Sequence, residues 1–224
     1  MNSEPYEGMG VDYIVRGEGE LTFRELLRAL ERGGGFERIC GLSYRDTDRR
    51  DNDRWLHNPD RPVHQLEDDE IRLPNRNARV LRGYTLLGRQ VDVVETSRGC
   101  TYDCSFCSII EMRGHNFHTY SFERVLADIR DARDHGARTI FLVDDNITLN
   151  VHRFEALCHA IVEAGLNELD FFVQAMTSAI ASHGETLAPL MRRAGFRYVF
   201  LGSKTSWKAI SGSCVPPPFV PGAS

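Results

Sequence analysis

At 224 residues, with 42% hydrophobic side chains, the chain is long enough for one or two domains with a packed core. No apolar run approaches the ~20 residues of a membrane span, and the N-terminus lacks the charged-then-apolar order of a signal peptide, so a cytoplasmic location is expected. A net charge of −5 argues against a nucleic-acid surface, and six cysteines, three of them clustered, suit a metal in a reducing compartment better than a disulfide framework.

From the N-terminus, Val11-Asp-Tyr-Ile-Val-Arg16 predicts a strand, and the spacing of Leu21, Phe23, Leu26, Leu27 and Leu30 predicts a helix that stops at Gly33-Gly-Gly35. The intervening Gly17-Glu-Gly-Glu20 has the outline of a dinucleotide loop, but its third glycine is absent and two carboxylates would repel phosphate. Residues 39–90 read as a linker with small β elements: strands at 39–44 and 55–57, a charged turn at 46–53, and Pro59, Pro62 and Pro74. Arg72, Arg76, Arg79, Arg82 and Arg89 are interspersed with acidic and apolar residues and read as a solvated connector. His57 and His64 read as surface residues.

The stretch Val91-Asp-Val-Val-Glu-Thr-Ser-Arg-Gly-Cys-Thr-Tyr-Asp-Cys-Ser-Phe-Cys107 reads as a β-branched strand that stops at Gly99 and opens into a loop carrying the thiols of Cys100, Cys104 and Cys107. Three thiolates so close in sequence can converge on one iron–sulfur cluster, whereas ordinary protein [4Fe–4S] sites use four. One iron would then lack a protein ligand, and an open coordination position separates a reactive metal site from a sealed one. The alternative on the same residues is a zinc knuckle completed by His115 or His118. Zinc sites more often arrive as paired C-x2-C units, so the C-x3-C spacing after a strand favours the cluster.

Downstream, Ser121 is a good helix N-cap before Phe122, Val125, Leu126, Ile129 and Ala132, and Gly136 ends that helix. Thr139-Ile-Phe-Leu-Val143 predicts a buried strand. Asn150 predicts the cap of a second helix bearing Phe154, Leu157, Cys158, Ile161 and Val162, with Cys158 in the core. A third strand (169–174), third helix (185–194) and fourth strand (197–201) follow, a strand–helix alternation that implies βαβ units and a parallel sheet.

The C-x3-C-x2-C loop after a strand, with Phe106 just before the last cysteine, resembles the signature of the radical S-adenosylmethionine (radical SAM) superfamily. The resemblance implies an α/β fold, a partial (β/α) barrel, here with about four βα units. It implies that Cys100, Cys104 and Cys107 hold a [4Fe–4S] cluster, and that SAM chelates the fourth iron through its amino and carboxylate groups. One electron then cleaves the sulfonium to a 5′-deoxyadenosyl radical. Phe106 is implied to lie near the adenine. Chemistry in such barrels gathers at the C-terminal ends of strands. Asp144, Asp145 and Asn146 follow the second strand, where many relatives carry a Gly-Gly-Glu that contacts the SAM amino group. Carboxylates there can accept from an ammonium, or the residues shape the turn. Gln174, ending the third strand, is implied to reach the SAM ribose or carboxylate, and a cation among Arg113, His115 and His118 to offset the cluster or meet that carboxylate.

Arg16-Gly-Glu-Gly-Glu20 resembles the end of the Rossmann-like cobalamin-binding domain that precedes the radical SAM core in one large subfamily, and Leu73-Pro74 resembles the approach to that core. The Asp-x-His-x-x-Gly cobalt-ligand run is missing, so cobalamin is expected of full-length relatives rather than of this polypeptide alone. The expected division is 1–35 as a remnant of that domain, 36–90 as linker, 91–202 as partial core and 203–224 as an irregular, proline-rich tail. The family usually continues its fourth strand with Gly-Ile-Glu and two more βα units. Here Ser203-Lys204 follow Gly202, which reads as truncation.

The expected activity is hydrogen abstraction from a small-molecule or lipid-like organic substrate, leading to methyl transfer or ring chemistry, with an electron donor such as flavodoxin or ferredoxin. A methylthiotransferase-like enzyme and a non-catalytic iron–sulfur or zinc protein are the alternatives. Neither a nucleic-acid partner nor a transmembrane segment is expected.

Overall fold

The N-terminal residues carry one helical stripe and few apolar strand positions, and they fold as a small unit. In the computed structural model, which describes residues 3–46, 54–62, 71–104 and 107–202, a short helix α1 (Glu4–Glu7) leads into β1 (Tyr13–Val15) and α2 (Gly19–Arg32). Strand β1 pairs antiparallel with β2 (Leu42–Asp46), which pairs with β3 (Arg54–His57). Leu26, Ala29, Ile39 and Leu42 form the core of this unit, flanked by Tyr13, Val15, Phe36 and Tyr44. The expected strand at 39–44 is thus displaced: Phe36–Arg38 turns as a 3-10 helix and Ile39 anchors the core instead. Of the predicted helical stripe only Leu26 is buried; Phe23, Leu27 and Leu30 are exposed, because Thr22 and Ala29 face the sheet.

The connector is not uniformly solvated. Arg76 is 3% exposed, and its guanidinium donates to Asp92, Asp128 and Asp131, each at 2.7 Å, while Arg79 donates to both oxygens of Asp92 at 2.8 Å. The expected solvated connector holds for the exposed Arg72, Arg82 and Arg89 but not for Arg76, nor fully for the half-buried Arg79. A buried guanidinium must be fully paired, and its partners lie on elements far away in sequence.

From there the chain builds one mixed sheet. Strand β4 (Thr85–Leu86) turns back antiparallel onto β5 (Arg89–Val94). After β5 the backbone leaves the sheet to form a separate ribbon, β6 (Ser97–Cys100), α3 (Ile109–Arg113) and β7 (Asn116–Thr119), with β6 and β7 antiparallel. The sheet resumes with α4 (Phe122–Asp134), β8 (Thr139–Leu142), α5 (Val151–Glu163), β9 (Asp170–Met176), α6 (Thr177–Arg193) and β10 (Phe196–Gly202). The strand order is β10-β9-β8-β5-β4, parallel except for β4.

Local signals set the helix starts: the Ser121 side chain accepts from Arg124 N–H, and Asn150 from Arg153 N–H. Helix α6 begins at Thr177 rather than 185, with Gly184 inside it, where a Cβ would meet only the Ile180 side chain at 3.8 Å. One face of the sheet buries Val94, Ile140, Leu142, Phe171 and Val173 beneath the helices, with Cys158 in the same core as expected. Phe196 meets Phe171 and Phe154 at ring distances of 5.2 Å. Burying each such ring stabilises the fold by roughly 2–3 kcal/mol. Among the described residues the opposite face is uncovered, with Phe141 against Phe172 at 4.6 Å and Val93, Val143 and Phe200 exposed. No helix among the described residues is long and apolar enough to cross a membrane.

Candidate functional site

The strand predicted to run from Val91 to Gly99 is broken at Val94, and its end belongs to the β6–β7 ribbon, where Gly99 pairs with Phe117 and Cys100 with Asn116. Gly99 has φ +86°, and a Cβ there would lie 2.1 Å from the Asn116 carbonyl oxygen, so the close strand approach requires glycine. The ribbon thereby carries Cys100 at the C-terminal side of β5, beside the turn that follows β8.

That turn braces the loop. Asp144 is buried, and its carboxylate accepts from the Thr96 N–H at 2.7 Å, the Thr96 hydroxyl at 2.6 Å and the Ser97 hydroxyl. Burial pushes its carboxyl up to about 6, against the pull of those three donors and of Arg153. Arg153 in turn donates to the carbonyls of Thr96 and Tyr120, at 3.0 and 2.8 Å. Asp145 is exposed, with Oδ2 accepting from Gly99 N–H at 2.7 Å. Asn146 is buried; its Nδ2 donates to Cys100 Sγ at 3.7 Å, and its Oδ1 accepts from Thr148, whose hydroxyl accepts from Met176 N–H. The first cysteine is therefore tied to the ends of both β8 and β9. Gln174 lies exposed on β9, on the uncovered face with Phe172.

Cys100, Cys104 and Cys107 are half-buried, outside any disulfide, and share one loop in which Cys107 N–H donates to the Cys104 carbonyl at 2.9 Å. Cys100 Sγ also accepts from Tyr102 N–H at 3.5 Å. Among the described residues, no three His, Cys, Asp or Glu side chains stand close enough together to hold a metal ion. The donor set suits an iron–sulfur cluster: soft sulfur ligands, one of them already receiving N–H donors of the kind that offset thiolate charge. His115 is exposed with Nδ1 3.4 Å from the Thr101 carbonyl, and both ring nitrogens of His118 are buried without a hydrogen-bond partner. Arg113 Nη1 pairs with Glu18 at 2.8 Å, while its Nε is buried without a hydrogen-bond partner. Phe106, His64, most of the 46–53 turn and the 203–224 tail lie outside the described residues.

Sequence reasoning missed Thr96, Ser97, Thr148 and Arg153, whose roles depend on partners distant in sequence. It did notice Glu18 and Glu20, as carboxylates that would repel phosphate and as part of the run resembling the end of a cobalamin-binding domain, but not as partners of Arg113 and Arg98.

Fold and loop together define a half-barrel α/β protein with a cysteine-rich loop at the carboxyl end of its first core strand. The chain belongs to the radical SAM superfamily, whose family model matches residues 94–210. It is 33% identical over 197 residues to an uncharacterized methyltransferase of Pyrococcus horikoshii, covering 88% of this chain and 41% of that protein. It is 28% identical over 198 residues to the hopanoid C-3 methylase of Methylococcus capsulatus, covering 88% and 35%. Among solved structures it matches the radical S-adenosylmethionine methyltransferase TsrM from Kitasatospora setae, with cobalamin and a [4Fe–4S] cluster bound, at a TM-score of 0.65 and 21% identity, over 90% of this chain and 40% of that one. This match establishes the partial-barrel fold. The chain spans about two fifths or less of the length of these proteins.

Proposed function

We propose that this chain is the cluster- and SAM-binding part of a radical SAM methyltransferase of the cobalamin-associated type. Cys100, Cys104 and Cys107 would hold a [4Fe–4S] cluster with one iron left for SAM. When bound, that cluster supplies the electron that cleaves the SAM sulfonium. The observation that carries the reading is the position of Cys100, held at the strand ends by Asn146 and by the Gly99–Asp145 hydrogen bond.

The chain's own residues orient the other components. Asp145 has its second carboxylate oxygen available for the SAM ammonium, and Gln174 offers an amide to its ribose or carboxylate. Phe106 is assigned to the adenine by family resemblance. Asp144 and Asn146 act from behind, since their polar atoms are already engaged with Thr96, Ser97, Thr148 and Cys100. The uncovered aromatic face of Phe141 and Phe172 suits an organic substrate, small or lipid-like. The methyl- and ring-forming relatives, which include an anaerobic magnesium-protoporphyrin IX monomethyl ester cyclase of Synechocystis, support that class. The electron donor would be a flavodoxin or ferredoxin. Cobalamin is assigned to full-length relatives rather than to this chain by itself, since no Asp-x-His-x-x-Gly run occurs in it and Arg16, Glu18 and Glu20 are engaged in ion pairs within the protein.

Anaerobic reconstitution with iron and sulfide tests the reading. The expected result is a four-iron cluster whose EPR signal changes on adding SAM, lost in Cys100→Ala, Cys104→Ala and Cys107→Ala and kept in Cys40→Ala, Cys158→Ala and Cys214→Ala. Stoichiometric zinc, or a signal indifferent to SAM, would overturn it.

A further inference from the structure

The Arg16–Glu20 run ends β1 and opens α2, far in sequence from the cysteine loop, yet each of its charged side chains bridges to another segment. Arg16 reaches Asp60 at 2.6 Å, within the N-terminal unit. Glu18 and Glu20 face the opposite way. Glu18 Oε1 pairs with Arg113 Nη1 at 2.8 Å, with side chains 14% and 20% exposed. Glu20 Oε1 pairs with Arg98 Nη2 at 2.6 Å, with side chains 35% and 14% exposed. Arg98 also donates to Glu95 at 2.7 Å and lies over the Tyr120 ring.

Arg98 and Arg113 bracket the loop: one lies on β6 just before Cys100, the other ends α3 just after Cys107. We propose that Glu18 and Glu20 are positioning residues that clamp the two ends of the cysteine loop and so hold its three thiols at the sheet edge. The assignment deepens the function proposed above and rests on it for the consequence at the cluster. Arg98 and Arg113 stand at the loop's entry and exit, so where those two side chains are anchored sets where the loop begins and ends. Ion pairs shielded from water hold more firmly than exposed ones, because the field between the charges is less screened. Burial works against the Glu20 charge, but the Arg98 hydrogen bond, a backbone hydrogen bond and the charges of Arg98 and Arg113 together outweigh it and keep the carboxyl below its usual value. Gly17, at φ +77°, makes the left-handed turn between β1 and α2 that directly precedes the glutamates.

Backbone hydrogen exchange on the cluster-free chain, followed by EPR and iron–sulfide analysis after reconstitution, tests the clamp. In Glu18→Gln/Glu20→Gln, amides 99–113 should exchange about 10-fold faster than in wild type, while those of α5 and α6 are unchanged. Glu18→Arg should accelerate the same amides, and Glu18→Arg/Arg113→Glu should restore them to within about twofold, since the swapped pair re-forms the bridge. The reconstituted Gln/Gln variant should hold less iron and give a broadened EPR signal. Loop exchange equal to wild type, or acceleration spread evenly over α5 and α6, would overturn the clamp. A wild-type chain that takes zinc would overturn the proposed function instead, and the exchange comparison would still decide the clamp.

Discussion

The Gly99 backbone N–H donates to the Asp145 carboxylate at 2.7 Å, joining the residue before Cys100 to the turn after β8. This bond gives Asp145 a role in loop geometry as well as a candidate role in SAM binding, and two substitutions separate them. Asp145→Asn keeps an acceptor for Gly99 and removes the charge; Asp145→Ala removes both. Asp145→Asn should retain wild-type iron content and bind SAM about 10-fold more weakly, the scale of one charge-assisted hydrogen bond. Asp145→Ala should lose iron as well. Equilibrium SAM binding and iron analysis check this, and undiminished SAM affinity in Asp145→Asn would confine the carboxylate to the loop.

Gly99 and Gly33 share a left-handed backbone but not the same surroundings. A Cβ at Gly33 meets nothing within 4 Å, whereas at Gly99 it meets the Asn116 carbonyl. Gly33→Ala should therefore cost about 1 kcal/mol from conformation alone, and Gly99→Ala at least about 3 kcal/mol, because the ribbon must part. Urea denaturation of the two variants provides the comparison. Equal losses would show that the ribbon adjusts without penalty.

The raised Asp144 carboxyl makes stability depend on pH in a stated direction. The folded chain holds this proton more tightly than the unfolded chain, so the group favours folding below about pH 4, and that contribution is lost as pH rises through about 6. A displacement of this size is worth on the order of 3 kcal/mol. Asp144→Asn, which still offers Thr96 N–H an acceptor, should lack this dependence. Its stability should gain on wild type by roughly that amount between pH 4 and 7, as read from denaturation at each pH. Parallel pH profiles for the two proteins would rule this out.

Arg76 sits among carboxylates that burial alone would neutralise. Burial raises the Asp128 carboxyl, whereas at Asp92 the hydrogen bonds from Arg79 and Arg76 outweigh burial and lower it. Arg76→Met should destabilise the fold by about 3–5 kcal/mol by leaving buried charge uncompensated. Adding Asp92→Asn and Asp128→Asn should recover part of that loss, measurable as a rise in melting temperature over the single variant. If the triple variant melts no higher, lost packing rather than unpaired charge is the cause.

The features legible in the sequence were those whose physics is local. The spacing of Cys100, Cys104 and Cys107 follows from one loop, the Ser121 and Asn150 caps each act within three residues, and the buried strand at β8 shows its apolar run directly. These sufficed for the superfamily, the alternating βα order and the core position of Cys158. Tertiary structure decided whatever depends on a partner remote in sequence. Arg76 looks like any linker arginine until Asp92 and Asp128 come to it from β5 and α4. The break after Val94 appears only because Asn116–Thr119 competes for the following backbone as β7. That Asp144 and Asn146 bond to Thr96, Ser97 and Cys100 is likewise invisible in the sequence, because those partners lie more than forty residues away. Glu18 and Glu20 read as a flawed phosphate loop until folding sets Arg113 and Arg98 against them, because a charge takes its meaning from its nearest counter-charge, and only the fold chooses that neighbour.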